Sequence, residues 1–378
     1  MHDYVDEVMK IVKNDKIILP KYDFYKWKNS NRKHFFELQN NNKVSMKKRT
    51  KELKLLKKKR ITPSNKITLL DTSIGSDNVG DNIIMNYCEN ICINTIKDKE
   101  LINLPTHIYD ERLENMINDI KILCGTNIIY KKMEESKQWV MPINISNLKN
   151  TCLLGVGLQK QDIDQPMSKY TELFFKSILA DGYYHSVRDE DTKIALESIG
   201  IKNVLNTSCP TMWNLSKEHC KTIPVKKANF VLTTITDYEK DYDNDRMMLN
   251  ILKENYDEVY VWIQGQYDYE YLNELVNIEN YNLVPPSLDE LDRILEMNDL
   301  DYVGTRLHAG IRSLNFKHRS LVIAIDNRAR SISADTNLPI MERTNIKNDL
   351  IKWIKTDNVT DIHLPEEKIN LWKNQFKK

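Results

Sequence analysis

Glycine is scarce, with ten in 378 residues, well under half the usual share of about 7%. Each glycine should therefore mark a place where the backbone needs room. Six cysteines are too few and too scattered for a disulfide framework at this length. Cys88 and Cys92 lie one helical turn apart, yet no nearby His or Cys completes a set of four metal ligands. They read as two small buried side chains on a helix face, and no metal is expected. No run approaches the ~18 apolar residues that a membrane-spanning helix needs. The opening residues, Met1-His2-Asp3-Tyr4-Val5-Asp6-Glu7, put acids where a signal peptide needs a basic start, so the expectation is a cytoplasmic protein. An excess charge of one sign is missing too. Lys and Arg number 55 against 54 Asp and Glu, a net charge of +1, which excludes a uniformly basic nucleic-acid binder.

What is present is an ordinary globular composition, 41% hydrophobic and 29% charged, in a chain long enough for two domains. The charge is unevenly spread. Residues 43–60 hold ten basic side chains and one acid, Glu52, so this stretch carries +9 and the rest of the chain −8. Leu53, Leu55, Leu56 and Ile61 are interspersed, which allows a basic amphipathic helix lying on anionic lipid headgroups, a peripheral contact at the inner face of a membrane. A solvated helical arm fits the same residues. Residues 1–62 read as a helical, basic extension, with Pro63 punctuating the start of the fold.

From residue 66 the pattern is strand, loop, helix, repeated. Strands are expected at 67–71, 120–124, 151–154 and 184–187, and helices near 83–91, 110–119, 169–180 and 189–199. A second series follows Pro224, with strands at 230–235, 259–263 and 321–325 and helices near 243–254, 268–277, 288–296 and 306–315. Alternation of this kind argues for parallel sheets covered by helices on both faces. The expected architecture is therefore two α/β halves, 63–210 and 224–340, with a cleft between them and a linker at 211–223. Two C-terminal helical segments within 341–378 would fold back across the first half.

In such sheets ligands bind beyond the carboxyl ends of the strands, so the residues just after each strand carry the most information. After the first strand comes Asn78-Val79-Gly80-Asp81. Gly80 at a helix start would let backbone N–H groups approach an anion, and Asp81 would cap the helix. Further on, Val187-Arg188-Asp189 places a cation at a strand-to-helix junction, with Asp189 as a helix cap. Then Arg306-Leu307-His308-Ala309 puts Arg306 and His308 in a first helical turn, an end that prefers anions. A bound anion would offset both.

These three segments together resemble the polysaccharide pyruvyl transferase family, whose members carry Asn-x-Gly-Asp, Val-Arg-Asp and Arg-Leu-His-Ala in this order. The resemblance covers roughly residues 66–330. It implies two Rossmann-like domains with parallel sheets in a GT-B-like arrangement. The implied activity is transfer of a pyruvyl group from phosphoenolpyruvate to a sugar, of a surface polysaccharide or its lipid-linked precursor, as a cyclic ketal. No cofactor is implied beyond that donor. Where many members carry Asp-Pro, this chain has Ser208-Cys209-Pro210-Thr211, and a glycine cluster found in many after the third strand is here Cys124-Gly125-Thr126-Asn127.

The donor chemistry suits the residues. Phosphoenolpyruvate presents a carboxylate and a phosphate close together, and arginine's planar fork matches both. Arg188 and Arg306 are the expected donor-binding cations, one from each half, with Asn78, Gly80 and Asp81 as further substrate contacts. His308 is the expected general acid/base, and His185 a weaker second, more in keeping with strand-end packing. Two rival readings remain: a GT-B glycosyltransferase with a nucleotide-sugar donor, using Asp326 on the ribose, and a non-catalytic interaction protein on the same fold.

Overall fold

The fold was derived from a computed structural model of the chain, which describes residues 23–159, 165–265 and 267–377. Two parallel sheets carry it. The first contains β1 (Lys66–Asp71), β2 (Glu100–Pro105), β3 (Ile120–Cys124) and β5 (Thr151–Leu154) in the order β2-β1-β3-β5. A short pair, β4 (Asn127–Ile129) and β6 (Gly157–Leu158), extends from β3 and β5. Another pair, β7 (His185–Val187) and β8 (Val204–Asn206), continues the sheet edge through a parallel bridge from Val156 to Val187. β1, β3 and β5 are buried almost throughout, which is why they read as unbroken apolar runs rather than alternating ones.

The second sheet has six strands: β9 (Phe230–Thr233), β10 (Glu258–Trp262), β11 (Asn282–Val284), β12 (Leu300–Gly304), β13 (Ser320–Ala324) and β14 (Ile340–Glu342). All pairings are parallel, in the order β11-β10-β9-β12-β13-β14. This is the doubly wound order of a Rossmann fold, with its topological switch point between β9 and β12. The two Rossmann-like halves, facing each other across a cleft, form the GT-B-like arrangement. A buried net of hydroxyls pins the switch point. The Tyr302 hydroxyl lies 2.7 Å from Thr234 Oγ1 and donates to the Arg306 carbonyl at 2.8 Å, while Thr236 and Thr305 pair at 2.8 Å. Gly304 makes the approach of β9 and β12 feasible, since a Cβ there would stand 2.4 Å from Thr234 Oγ1.

Several elements differ from the sequence reading. Residues 110–119 hold only a short 3-10 turn, Glu111–Asn115, followed by a chain whose Met116 is buried. Strands β2, β11 and β14 escaped notice because each is short or partly exposed and lacks a clear apolar run. Within the expected linker 211–223, Met212, Leu215, Cys220 and Ile223 are buried in a core shared with the second half. Nor do the N-terminal helices form a loose arm. Helix Met46–Leu56 sinks Leu53 and Leu56 into the first half's core, and Arg49 donates to the Pro142 carbonyl. Of the C-terminal helices, Ile346–Lys355 packs on the second half through Ile346, Leu350 and Ile354. Glu366–Asn374 crosses to the first, where Trp372 is buried and donates to the Leu153 carbonyl at 2.9 Å.

Candidate functional site

The carboxyl ends of both sheets, joined by helix Asp23–Asn41, enclose a cavity of about 540 Å³. Its wall draws Lys28 and Arg32 from that helix, Asp77, Asn78 and Asp81 from the loop after β1, Asn127 from β4, and Arg188 from the end of β7. The second half contributes Tyr238, Asp326 and Arg328.

Asn78, not Asp81, caps helix Val79–Thr95: its Oδ1 accepts from Gly80 N at 2.9 Å. Asn78 also accepts from Gln264 Nε2 at 2.8 Å, tying the two halves together at the cleft floor. Gly80 serves the same contact. A Cβ on it would meet Gln264 Nε2 at 2.7 Å, so its smallness admits the other half rather than an anion. Asp81 is thereby freed to face the cavity, held by the hydroxyls of Ser76 at 2.5 Å and Thr126 at 3.2 Å. Burial pushes its carboxyl up to about 6, against the lowering influence of those two hydrogen bonds.

Arg188 follows β7 and is almost wholly buried, donating to Asn127 Oδ1 and lying 3.4 Å from Asp189 Oδ2. Asp189 caps the next helix, accepting from Thr192 N at 2.8 Å. Gly157 provides the room, because a Cβ there would lie 2.3 Å from Arg188 Nε. Sequence reasoning passed over Gly157; the signal that could have found it is its place just after β5, at a strand's carboxyl end.

Arg306 and His308 lie below the cavity rather than on its wall. The Arg306 guanidinium is turned to Asp268 and to Asp237, the latter at 3.1 Å, and its Nε donates to the Ile235 carbonyl at 3.0 Å. Asp268 is itself buried and also accepts from Gly265 N at 2.7 Å and Asp237 N at 3.1 Å. Burial and the adjacent Asp268 push Asp237 up to about 6. So Arg306, expected to meet the donor, is engaged in a carboxylate cluster at the switch point. His308 is buried, with Nε2 3.8 Å from Cys209 Sγ, which in turn accepts from Thr211 Oγ1 at 3.1 Å. Burial, then Arg328 and Arg188, push its imidazole down to about 3. His185 opens β7 at the end away from Arg188 and lies outside the cavity wall.

The cation that the second half does present to the cavity is Arg328, in the first turn of helix Asn327–Thr336. Asp326 caps that helix and pairs with Arg328 at 2.5 Å, and the Tyr238 hydroxyl accepts from the same guanidinium at 2.6 Å. Arg328 lay in a stretch without a matched motif, so only folding reveals that it faces Arg188. Among the described residues no group of three or more His, Cys, Asp or Glu is placed to hold a metal ion.

The family model for polysaccharide pyruvyl transferases matches residues 15–327. The chain belongs to that family. For a polysaccharide pyruvyl transferase family member, the three sequence motifs now have places: one on the cavity wall and the cleft floor, one at the buried Arg188, one at the switch point beneath. No curated protein sequence matches the chain. Among solved structures, the UDP-GlcNAc 2-epimerase of Methanocaldococcus jannaschii in complex with UDP-GlcNAc and UDP is similar over 83% of this chain and 99% of its own, at 11% identity and a TM-score of 0.45. S. aureus MnaA in its UDP co-structure is similar over 78% and 91%, at 13% identity and a TM-score of 0.43. The epimerase from Neisseria meningitidis bound to UDP-GlcNAc covers 82% and 98%, at 12% identity and a TM-score of 0.40.

Proposed function

We propose that this chain transfers a pyruvyl group from phosphoenolpyruvate to two hydroxyls of a sugar, forming a ketal and releasing phosphate. The observation that carries the reading, beside family membership, is the pairing of Arg188 and Arg328 on one cavity wall system, one from each half. Two guanidinium forks suit a ligand bearing a carboxylate and a phosphate within a few bonds of each other.

The reaction needs a proton delivered to the enol methylene, attack of a hydroxyl on the resulting cationic carbon, and displacement of phosphate by the second hydroxyl. One hydroxyl proton replaces the proton consumed at the methylene, and the other leaves with phosphate. Asp81 is the acid we assign to the methylene. It faces the cavity, and a carboxyl pushed up to about 6 still holds a proton in a fraction of molecules near neutrality. His308 is the base. Burial, and after it Arg328 and Arg188, hold its imidazole neutral. A donor anion between those arginines offsets part of their field and so raises the proton affinity of His308, while burial, the larger cause, continues to lower it. Arg306 positions the switch-point loop, and Asn78 and Gly80 hold the halves in register.

The deciding experiment is phosphate release from phosphoenolpyruvate across galactosyl, glucosyl and mannosyl acceptors, with product mass as the second readout. A pyruvyl ketal supports the reading. Consumption of a nucleotide sugar with a hexose added, and no response to phosphoenolpyruvate, would replace it with the glycosyltransferase.

A further inference from the structure

Helix Met46–Leu56 is amphipathic, but its apolar stripe is already used. Arg49, Leu53 and Leu56, at i, i+4 and i+7, are buried against the first half. The carbonyl of Leu53 accepts from Ser177 Oγ at 3.0 Å, which fixes the helix in place. The opposite face consists of Lys47, Lys51 and Lys54, at i, i+4 and i+7, with Lys58 just past the helix end, all exposed. Lys43, Lys48, Lys57, Lys59 and Arg60 are exposed around them. The one acid in the segment, Glu52, is half-buried on the flank. Leu55 stands among the lysines with 63% of its surface exposed.

We infer that this face docks the protein on an anionic phospholipid bilayer. Nine exposed cations on and beside one helix, in a chain whose remaining residues sum to −8, make a strongly polarised molecule that an anionic surface orients. The attraction is worth roughly 1 kcal/mol per lysine near such a surface, and it falls off within a Debye length. Eight of the nine exposed cations are lysines and the segment holds no aromatic residue. Nucleic-acid surfaces favour arginine forks and stacking rings, whereas lysines around an exposed leucine suit a headgroup layer into which the leucine dips. Because Leu53 and Leu56 are held in the core, the helix does not insert, and the contact is electrostatic and reversible.

A groove leads from this helix toward the cavity. It measures about 630 Å³, is lined by Phe35, Phe36, Met46, Trp139 and Tyr170 among others, and shares Arg32 and Lys137 with the cavity wall. The docking itself does not depend on the reaction proposed above.

Vesicle co-sedimentation of the full chain tests it. Phosphatidylcholine vesicles containing phosphatidylglycerol should bind the protein at low salt and release it at high salt, and pure phosphatidylcholine should not bind it. Lys47→Gln, Lys51→Gln, Lys54→Gln and Lys58→Gln combined should lower partitioning by at least about tenfold, with the thermal midpoint unchanged. A control with Lys217→Gln, Lys221→Gln, Lys226→Gln and Lys253→Gln removes the same charge elsewhere and should bind nearly as the parent does. Equal losses in both variants, or equal binding to neutral vesicles, would overturn the inference. Tighter binding to a duplex DNA fragment than to the anionic vesicles at equal salt would overturn it too, making the partner a nucleic acid.

Discussion

Burial holds a proton on Asp81 in the folded protein that the unfolded chain has already released. Because its folded pKa of about 6 lies above the unfolded value of 3.8, the stability it contributes is fully present below about pH 4 and is lost as pH rises through 6. Asp81→Asn should therefore be more stable than the parent above pH 6, by on the order of 1–2 kcal/mol. The gap should close in denaturant melts near pH 4, while turnover falls at every pH. The arginines separate by role. Arg328→Lys should raise the KM for phosphoenolpyruvate, since a point ammonium replaces a fork, with little change in melting temperature. Arg306→Ala should unfold more readily by about 3–5 kcal/mol, because it strands the carboxylates of Asp268 and Asp237. A KM effect in Arg306→Lys as large as that in Arg328→Lys, without loss of stability, would return Arg306 to the donor. His308→Asn should leave donor binding nearly intact and lower kcat by ~10²–10⁴.

At the scale of elements, the N-terminal and C-terminal helices bracket the first half. Leu53 packs with Phe174, Phe175 and Ile178 in one core, and Trp372 with Ile67, Leu69 and Leu154 in the other. Leu53→Ala should cost about 2–5 kcal/mol and Trp372→Ala about 3–5 kcal/mol, measured by chemical denaturation. A chain lacking residues 1–60 should consequently be marginal or unfolded, so the basic stretch cannot be tested by truncation. Surface substitutions are the sound way to separate its charge from its packing. Helix Asp23–Asn41 adds a second reason, since it brings Lys28 and Arg32 into the cavity wall.

For the whole molecule, the cavity exists only because two halves meet. Gln264 and Asn78 join them at the floor, Asn206 bonds Asp335 at 2.8 Å, and Arg312 reaches Asn86 at 3.2 Å. A donor gripped by Arg188 and Arg328 together should stabilise both halves at once. Phosphoenolpyruvate at 100 times its dissociation constant should add roughly 2.7 kcal/mol to unfolding, read as a rise in melting temperature that either Arg188→Ala or Arg328→Ala abolishes. A rise that survives both substitutions would place the anion elsewhere.

Sequence alone determined the class of the fold. Buried runs such as Ile67–Leu70 and Leu321–Ala324, separated by helical periodicity, leave few arrangements besides parallel sheets under helices. It also determined where the motifs fall, because residues after a strand are adjacent to it whatever the rest of the chain does. Tertiary structure decided which of those residues meet. Arg306 has two carboxylates within reach only because Asp237 and Asp268 follow β9 and β10 into the same corner. Arg328 faces the cavity only because β13 ends beside the first half. Lys28 and Leu53 belong to the site and the core for the same reason: contacts between residues far apart along the chain are set by how elements pack, and no local pattern of side chains records them.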